Sequence, residues 1–482
     1  MPYLLSSSAA RQTMRGIVLP RGGHAHLVGI AGSGMKALAT ALDASGWRIS
    51  GSDLRPINML PAHWRTACGH SVDHLLPLPD MVLHSPAIES DNVELAAARR
   101  HGIPVVSYPK MLGQLMSQRM GIAIAGTHGK STTVAMMASI FETAGLDPTV
   151  IVGADGLAGR QLSRHGHGPH MLVEACEYRS SFLHLRPQRA AILNLEADHF
   201  DYFTSAEHRE HEFAQFAKRL PANGLMLVPA DCPVTRSALE NCEVPLATFG
   251  LRDGSDWQAR IHSVRLGRYQ FEVLANGRAC GSISLRIPGR HNVLNALAAA
   301  ALADDTGISW PDIRRGLERF CGIRRRLETV GVAGDITFLD DYAHHPTAIT
   351  AALATVRQMH PGRKIWCVFE PHQASRTKSL LDELAASLQN ADTLAVAEIF
   401  RAREPAWQTG DVTAADLAAR ARQLGAQVAS VHRLNDIEAW LLHQWRRGSL
   451  ATGDVIVTLG AGQIGTLAHG VYQRIRENCA GE

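Results

Sequence analysis

An apolar run of strand length breaks at a glycine turn and opens into a helical period, and this pattern starts three times along the chain. It first appears from Ala25, with "AHLVGI", the turn "AGSG" and the helical "MKALATALDASG" that ends at Gly46. It returns at Met120, where "MGIAIAG" leads through "THGKS" into "TTVAMMASIFETAG" and stops at Gly145. It starts again near Gly331, with "DITFLDDYA", "KIWCVFE", "TLAVAEIF" and "DVIVTLGAG" as strands. Strands that are apolar throughout are buried on both faces, and strands alternating with helices make parallel sheets with right-handed crossovers. The expected fold class is therefore α/β, in three domains with boundaries near residues 109 and 325. Between Leu225 and Ile287 the pattern alternates, which predicts an antiparallel insertion or an extension of the second sheet. "HNVLNALAAAALADDTG" predicts a further helix, and residues 1–23 a loose tail.

Composition removes several function classes. With 46% hydrophobic and 19% charged residues, the chain has the material for large cores and not for global disorder. A net charge of +3 gives no footprint for nucleic acid. The eight cysteines form no C-x-x-C pair, which reads as reduced, packed thiols in a cytoplasmic protein. No run reaches the roughly 20 apolar residues of a membrane span. The apolar run in "MPYLLSSSAARQTMRG" is too short for a signal-peptide core.

Two glycine loops carry the chemistry. "VGIAGSGMKALA" sits between a strand and a helix, and Asp53 ends the next strand, a setting for a nucleotide diphosphate at a helix N-terminus. The G-x-G-x-x-G reading is imperfect, because Ala31 takes the middle glycine position when the pattern is counted from Gly29. Taken alone it suggests a nicotinamide-dependent oxidoreductase. "GTHGKS" at 126–131 lacks a Walker glycine, since that slot is Ile124. Lys130 and Ser131 nevertheless sit where a loop meets a helix, placed to reach phosphates and to ligate Mg²⁺. An oxidoreductase has no use for this second loop. Glu174 and Glu177 end one strand, and Glu196, Asp198, His199 and Asp201 follow another. Parallel strands bring such ends to one edge, which favours a metal–nucleotide site over isolated caps or solvated loop residues. "HGHGPH" at 165–170 reads as loop, not as a metal tract.

In order along the chain, "GTHGKSTT", "NLEADHFDYF", "GRHNVLNALAA", "GIRRRLE" and "DDYAHHPTAI" resemble the motifs of the Mur ligases. "HLVGIAGSGMKALA…GSD" resembles the UDP-sugar domain of that family, and the likeness spans roughly residues 24 to 475. "FEPHQASRT" is similar to the motif of the branch that couples L-alanine to UDP-N-acetylmuramate. The family's loop is G-T-x-G-K-[ST], which accounts for Ile124.

The resemblance implies a UDP-binding Rossmann-like domain over 24–108, a P-loop-type ATPase domain over 109–324 and an amino-acid-binding Rossmann-like domain over 325–482. It implies ATP and Mg²⁺, UDP-N-acetylmuramate and L-alanine as substrates, and an acyl-phosphate route to the amide. No nucleic acid, membrane span or obligate protein partner is expected. Contacts to the UDP-sugar fall on Gly29, Ala31, Gly32, Ser33, Gly34, Met35, Asp53 and Ser85. ATP contacts fall on Gly126, Thr127, His128, Gly129, Lys130, Ser131 and Thr132, with Asn292 and Asn295 on the adenine side, Arg326 by the phosphates and Asp341 on the ribose. Without the resemblance, the two asparagines read as a cap and a polar helix face. Metal ligation falls on Ser131, Glu174 and His199. Tyr342, His344, His372 and Arg376 surround the amino acid, where an arginine fork suits a carboxylate. Lys130, Glu174, His199, His344 and Arg376 make up the expected catalytic set.

Four stretches depart from the family pattern. "EACEYR" stands for E-A-D-E-S-D, putting Cys176 and Arg179 in acidic positions; Gln373 replaces an arginine; "SYPKML" and "GAGQIG" also differ. Cys176 reads as a packed thiol, not a nucleophile. The recycling ligase, which attaches a tripeptide to the same sugar acid, is the close alternative. Against it stand the H-x-x-x-R-T pattern and the short "SSFLHLRP" connection. A non-catalytic UDP-sugar sensor disagrees with intact Lys130, Glu174 and His199.

Overall fold

The computed structural model describes residues 22–55, 60–240, 242–402, 404 and 410–480. The expected loose tail lies outside the described residues except for Gly22 and Gly23, which lead into the first strand. The described strands form three sheets, as the three restarts require.

The first sheet contains β1 (His24–Val28), β2 (Arg48–Asp53), β3 (Arg65–Cys68), β4 (Met81–His84) and β5 (Val105–Ser107). Its order is β3-β2-β1-β4-β5, and every pairing is parallel. The order reverses between β1 and β4, so a crevice opens where those two strands end, which is where open α/β sheets bind ligands.

The second sheet has nine strands: β6 (Met120–Ala125), β7 (Thr149–Ile151), β8 (His170–Glu174), β9 (Arg189–Ile192), β10 (Leu225–Pro229), β11 (Leu246–Gly250), β12 (Trp257–Arg265), β13 (Arg268–Ala275) and β14 (Arg278–Pro288). β6 lies between β8 and β9, so the loops after all three meet at one edge. The antiparallel segment expected from Leu225 is shorter than the sequence indicated. β10 and β11 are parallel, and only β12, β13 and β14 form the antiparallel extension. Short strands alternate in polarity near a sheet's edge whatever their direction, so alternation alone misplaced the switch.

The third sheet contains β15 (Glu328–Ala333), β16 (Ile336–Asp341), β17 (Ile365–Phe369), β18 (Thr393–Ala397), β19 (Val428–His432) and β20 (Val455–Leu459), in the order β15-β16-β20-β17-β18-β19. β15 alone is antiparallel, and it joins the sheet as a hairpin with β16.

The cores explain how these units join. One face of β6 presents Ile122 and Ile124 to the helices Lys130–Thr143 and Arg290–Asp305. On the other face, Ala123 and Ala125 belong to a core that runs through Met111, Leu112 and Met116 into the first sheet at Leu27 and Leu83. The helix Tyr108–Met116 therefore sits inside a shared core and not in an exposed linker. Each of its fully buried side chains contributes about 1.5–3 kcal/mol. The third sheet keeps its own two clusters, with Phe200 as the central unit's apolar neighbour.

Candidate active site

The phosphate loop is held open by glycine. Gly126 and Gly129 have φ of 128° and 84°, values L side chains rarely adopt. A Cβ on Gly129 would lie 2.5 Å from Asn295 Oδ1, and one on Gly126 would lie 3.1 Å from the Asn194 backbone. The loop is laced to the segment after β9. His128 N–H donates to Asn194 Oδ1 (2.8 Å), Asn194 Nδ2 donates back to His128 O (3.1 Å), and Glu196 N–H donates to Thr127 Oγ1 (3.0 Å). Asn194 was not anticipated; its signal was its place directly before the "LEADH" run.

Lys130 opens the helix behind the loop. Its ammonium donates to the Gly126 and Thr127 carbonyls and to both oxygens of Glu177, at 2.9 and 3.1 Å. Burial alone would lower its pKa, but the neighbouring acidic groups, Glu177 foremost, together hold it above the ordinary lysine value. Burial would likewise raise Glu177, and Lys130 holds it below the ordinary carboxylate range instead. Ser131 Oγ donates to Glu174 Oε2 at 3.0 Å, and Gly153 N–H donates to the same oxygen at 3.1 Å. Thr132 is buried in the first turn. Ser131 and Glu174 thus meet as expected. His199 joins them one step away, with Nε2 3.6 Å from Glu177 and its ring 5.0 Å from Tyr178. Cys176 is exposed, which corrects the expectation of a packed thiol; the protein around its sulfur and then the Glu177 carboxylate raise its pKa, which disfavours the thiolate a nucleophile needs.

The first glycine loop faces this centre. Gly29 (φ 86°) approaches Ser85 across the β1–β4 crevice, and a Cβ there would meet Ser85 at 3.0 Å. Asp53 accepts from Ala31 N–H through one oxygen and from Arg55 N–H through the other, both at 3.0 Å, so it shapes the loop from below. Gly34 lies against Tyr108, the residue "SYPKML" introduces. Met35 is buried in the core. The helix Ser33–Ala44 begins after Gly32. A cleft of ≈ 190 Å³ joins Ala31, Ser33 and Lys36 to Gly153, Asp155 and Gln161 of the central unit. Arg179 donates to Pro86 O at 2.9 Å, so the departure at this position ties the same two units.

The third unit closes the other side. Asp341 ends β16 and accepts 2.7 Å hydrogen bonds from Leu327 N–H and Ala343 N–H. Burial, only partly offset by Arg326, pushes its carboxyl up to about 6. Arg326 and Arg325 both lie 5.0 Å from the Tyr342 ring, while Arg325 alone turns inward to Asp340 and Gly460 O. The His344 ring lies 5.5 Å from that of His372 at an angle of 52°, and its pKa falls well below the ordinary value, first by burial and then by Arg376. Arg376 is 3% exposed, and its Nε and Nη2 donate to Asp198 Oδ1 at 2.8 and 2.5 Å while Nη1 donates to His372 Nδ1 at 2.7 Å. The fork expected to meet a substrate carboxylate is thus engaged by Asp198 in this conformation. Gln373 adopts φ 68° and donates its N–H to Phe400 O. Asn292 Nδ2 donates to Pro288 O, and Asn295 donates to Asn292 while its own oxygen faces Gly129. The reading of this pair as cap and polar helix face is corrected: the cap is Gly289, without a side-chain bond, and both asparagines are buried inside the helix, Asn295 beside the loop. His345, not anticipated, approaches His128 Nε2 within 3.2 Å.

Three family models match in sequence: the Mur ligase family catalytic domain over residues 24–120, the Mur ligase middle domain over 124–303 and the Mur ligase glutamate ligase domain over 325–462. The UDP-N-acetylmuramate–L-alanine ligase of Desulforamulus reducens is 36% identical over 460 residues, covering 94% of this chain and 98% of that protein. The crystal structure of the UDP-N-acetylmuramate–alanine ligase of Thermotoga maritima superposes with a TM-score of 0.79 at 25% identity, over 95% of this chain and all of that one. The murein peptide ligase of Psychrobacter arcticus superposes with a TM-score of 0.69 at 28% identity, over 96% and 99% of the two chains.

Proposed function

Because the chain belongs to the Mur ligase family, we propose that it joins L-alanine to the lactyl carboxylate of UDP-N-acetylmuramate at the expense of ATP, in the making of peptidoglycan precursors. The observation that carries this reading is the meeting of Lys130, Ser131, Glu174 and Glu177 opposite the first loop's cleft. A carboxylate is a poor electrophile, and its phosphorylation supplies a leaving group that an amine can displace. Two anions must approach each other for that, so cations are needed between them.

Each residue then has a task. The first loop and the N-terminus of the Ser33–Ala44 helix face the UDP diphosphate with backbone amides and a favourable dipole. Lys130 exchanges Glu177 for the β- and γ-phosphates; Glu177 keeps it charged and aimed until then. Ser131 Oγ and Glu174 Oε2, 3.0 Å apart and both hard oxygens, fit Mg²⁺ and would hold it. Bound there, the ion screens the phosphates' charge. His199 stands beside Glu177 as a further polar group at the same edge. Asn292 and Asn295 border the adenine side, Arg326 the phosphates, and Asp341 the ribose through its remaining lone pairs. Tyr342, His344 and His372 frame the amino acid, with Arg376 fixing His372 through the 2.7 Å bond. Transfer in a closed cleft limits hydrolysis of the acyl phosphate. No helix among the described residues is long and apolar enough to cross a membrane, and we place the reaction in the cytoplasm, where the nucleotide substrates are made.

ADP release measured with UDP-N-acetylmuramate and L-alanine, glycine, L-serine or tripeptide tests the reading. L-Alanine should drive turnover; ADP formed only with tripeptide would transfer the chain to the recycling branch. Lys130→Ala should abolish turnover and retain UDP-sugar binding, and loss of both would refute the division between the two loops.

A further inference from the structure

Three donors outside the Ser131–Glu174 pair converge between the phosphate loop and the third unit. His128 Nε2 lies 3.2 Å from His345 Nδ1, His345 Nδ1 lies 3.4 Å from Glu196 Oε2, and Glu196 Oε2 lies 3.6 Å from His128 Nε2. Ligands at about 2.0–2.1 Å from a tetrahedral ion are separated from each other by roughly 3.3 Å. The triangle therefore has the dimensions of one face of a tetrahedral site.

We propose that His128, Glu196 and His345 bind a divalent cation of the Zn²⁺ class, with the fourth position open to solvent, and that the ion pins the phosphate loop to the third unit. The groups around the donors already hold them for this. His345 Nε2 donates to Ala197 O at 3.1 Å, so the proton of the neutral ring is on Nε2 and the Nδ1 lone pair faces the other two donors. Thr347 Oγ1 donates to Glu196 Oε2 at 2.6 Å and fixes that carboxylate. His128 is held by Asn194 through its backbone N–H and C=O. His345 stands at the N-cap position of the helix Pro346–Met359, and the following Pro346 restricts its backbone. In the metal-free protein His128 Nε2–H donates to His345 Nδ1; on binding, the neutral His128 ring carries its proton on Nδ1 instead, which leaves three lone pairs on one point.

The donor set separates this site from the Mg²⁺ pair. Two imidazoles and one carboxylate suit borderline ions, whereas Mg²⁺ prefers an octahedron of oxygens and keeps its water. Glu196 and His128 are 31% and 21% exposed and His345 6%, so an ion can enter from the side of the first two and leave a coordination position to water. The site stands on this geometry alone and does not require the ligase reading.

Co²⁺ titration of the full metal-free chain is the test. One equivalent should give the intense visible bands of a tetrahedral ion without a thiolate charge-transfer band, Zn²⁺ should displace it, and excess Mg²⁺ should not. Glu196→Gln and His345→Ala should each weaken this binding at least tenfold. Zn²⁺ should raise the melting temperature of the wild type and not of either variant, which also shows that the variants fold. Should His345→Ala fail to fold, Glu196→Gln decides. Weak octahedral bands, a thiolate band, or binding unchanged in Glu196→Gln would overturn the proposal.

Discussion

At the scale of single residues, the site's charges are already paired with each other. Lys130 is bound by Glu177 and Arg376 by Asp198, so neither cation waits for substrate as an exposed charge. The sequence named all four residues, Glu177 and Asp198 at strand ends, Lys130 where a loop meets a helix and Arg376 through the family resemblance, because such positions follow from local pattern and motif. It did not pair them, because Asp198 and Arg376 are 178 positions apart and nothing local records their meeting. Asp341 shows the same limit. Its position at a strand end was legible, but its burial and its two backbone donors were not. Its carboxyl is raised to about 6, so the folded state holds its proton more tightly than the unfolded chain does. That contribution to stability is present in full below about pH 4 and is lost as pH rises through about 6. Asp341→Asn removes the titration. The unfolding free energy of wild type minus variant should fall by up to ~3 kcal/mol between pH 4 and pH 7. Urea melts across that range measure it, and a constant difference would contradict the assignment.

At the scale of elements, glycines set the distances at which helices reach the loops. The helix Arg290–Asp305 comes close enough for Asn295 to touch Gly129, and the helix Trp310–Arg319 crosses Lys130–Thr143 at Gly316, where a Cβ would lie 2.5 Å from the Ile140 Cα. The helices Lys130–Thr143 and Arg290–Asp305 were readable from their period and the loop from its motif, while Trp310–Arg319 was not singled out. The crossings were not, since a glycine inside a helical pattern does not say which backbone approaches it. The two positions differ in what they control. Gly129→Ala combines a disallowed φ with a clash on Asn295, and should lower kcat at least 100-fold through the loop with a modest change in melting temperature. Gly316→Val should instead push two helices apart and cost about 1–3 kcal/mol of stability. Melting temperature and kcat measured on both variants separate the effects, and equal kcat losses would refute the distinction.

At the scale of the whole molecule, the first two units share a core and the third is attached mostly by polar ties. Tyr108–Met116 welds the first sheet to the second, whereas Arg376–Asp198, Thr347–Glu196, His345–Ala197 and Tyr269–Gln358 join the third. Repetition of the strand–helix pattern made three units legible; whether neighbours share apolar surface is a property of faces that only packing decides. A polar interface opens at lower cost than a shared core, so the third unit is the one able to swing between admitting substrates and closing over them. Arg376–Asp198 is its most buried tie. Burial would raise Asp198, but Arg376 holds it well below the ordinary carboxylate value, so the tie is fully present above about pH 4 and is lost only as pH falls through that depressed value. Across working pH it must therefore be broken by mutation. Asp198→Asn leaves a buried guanidinium without its partner, at a cost of about 3–5 kcal/mol. The loss should fall on closure: protease cleavage should rise around residues 320–327, kcat/KM for L-alanine should drop at least tenfold, and UDP-sugar binding to the welded pair should stay within a few-fold of wild type. Arg376→Lys, which keeps the charge without the fork, should lie between. Unchanged cleavage together with lost UDP-sugar binding would mean that Asp198 supports the central unit itself and not the attachment of the third.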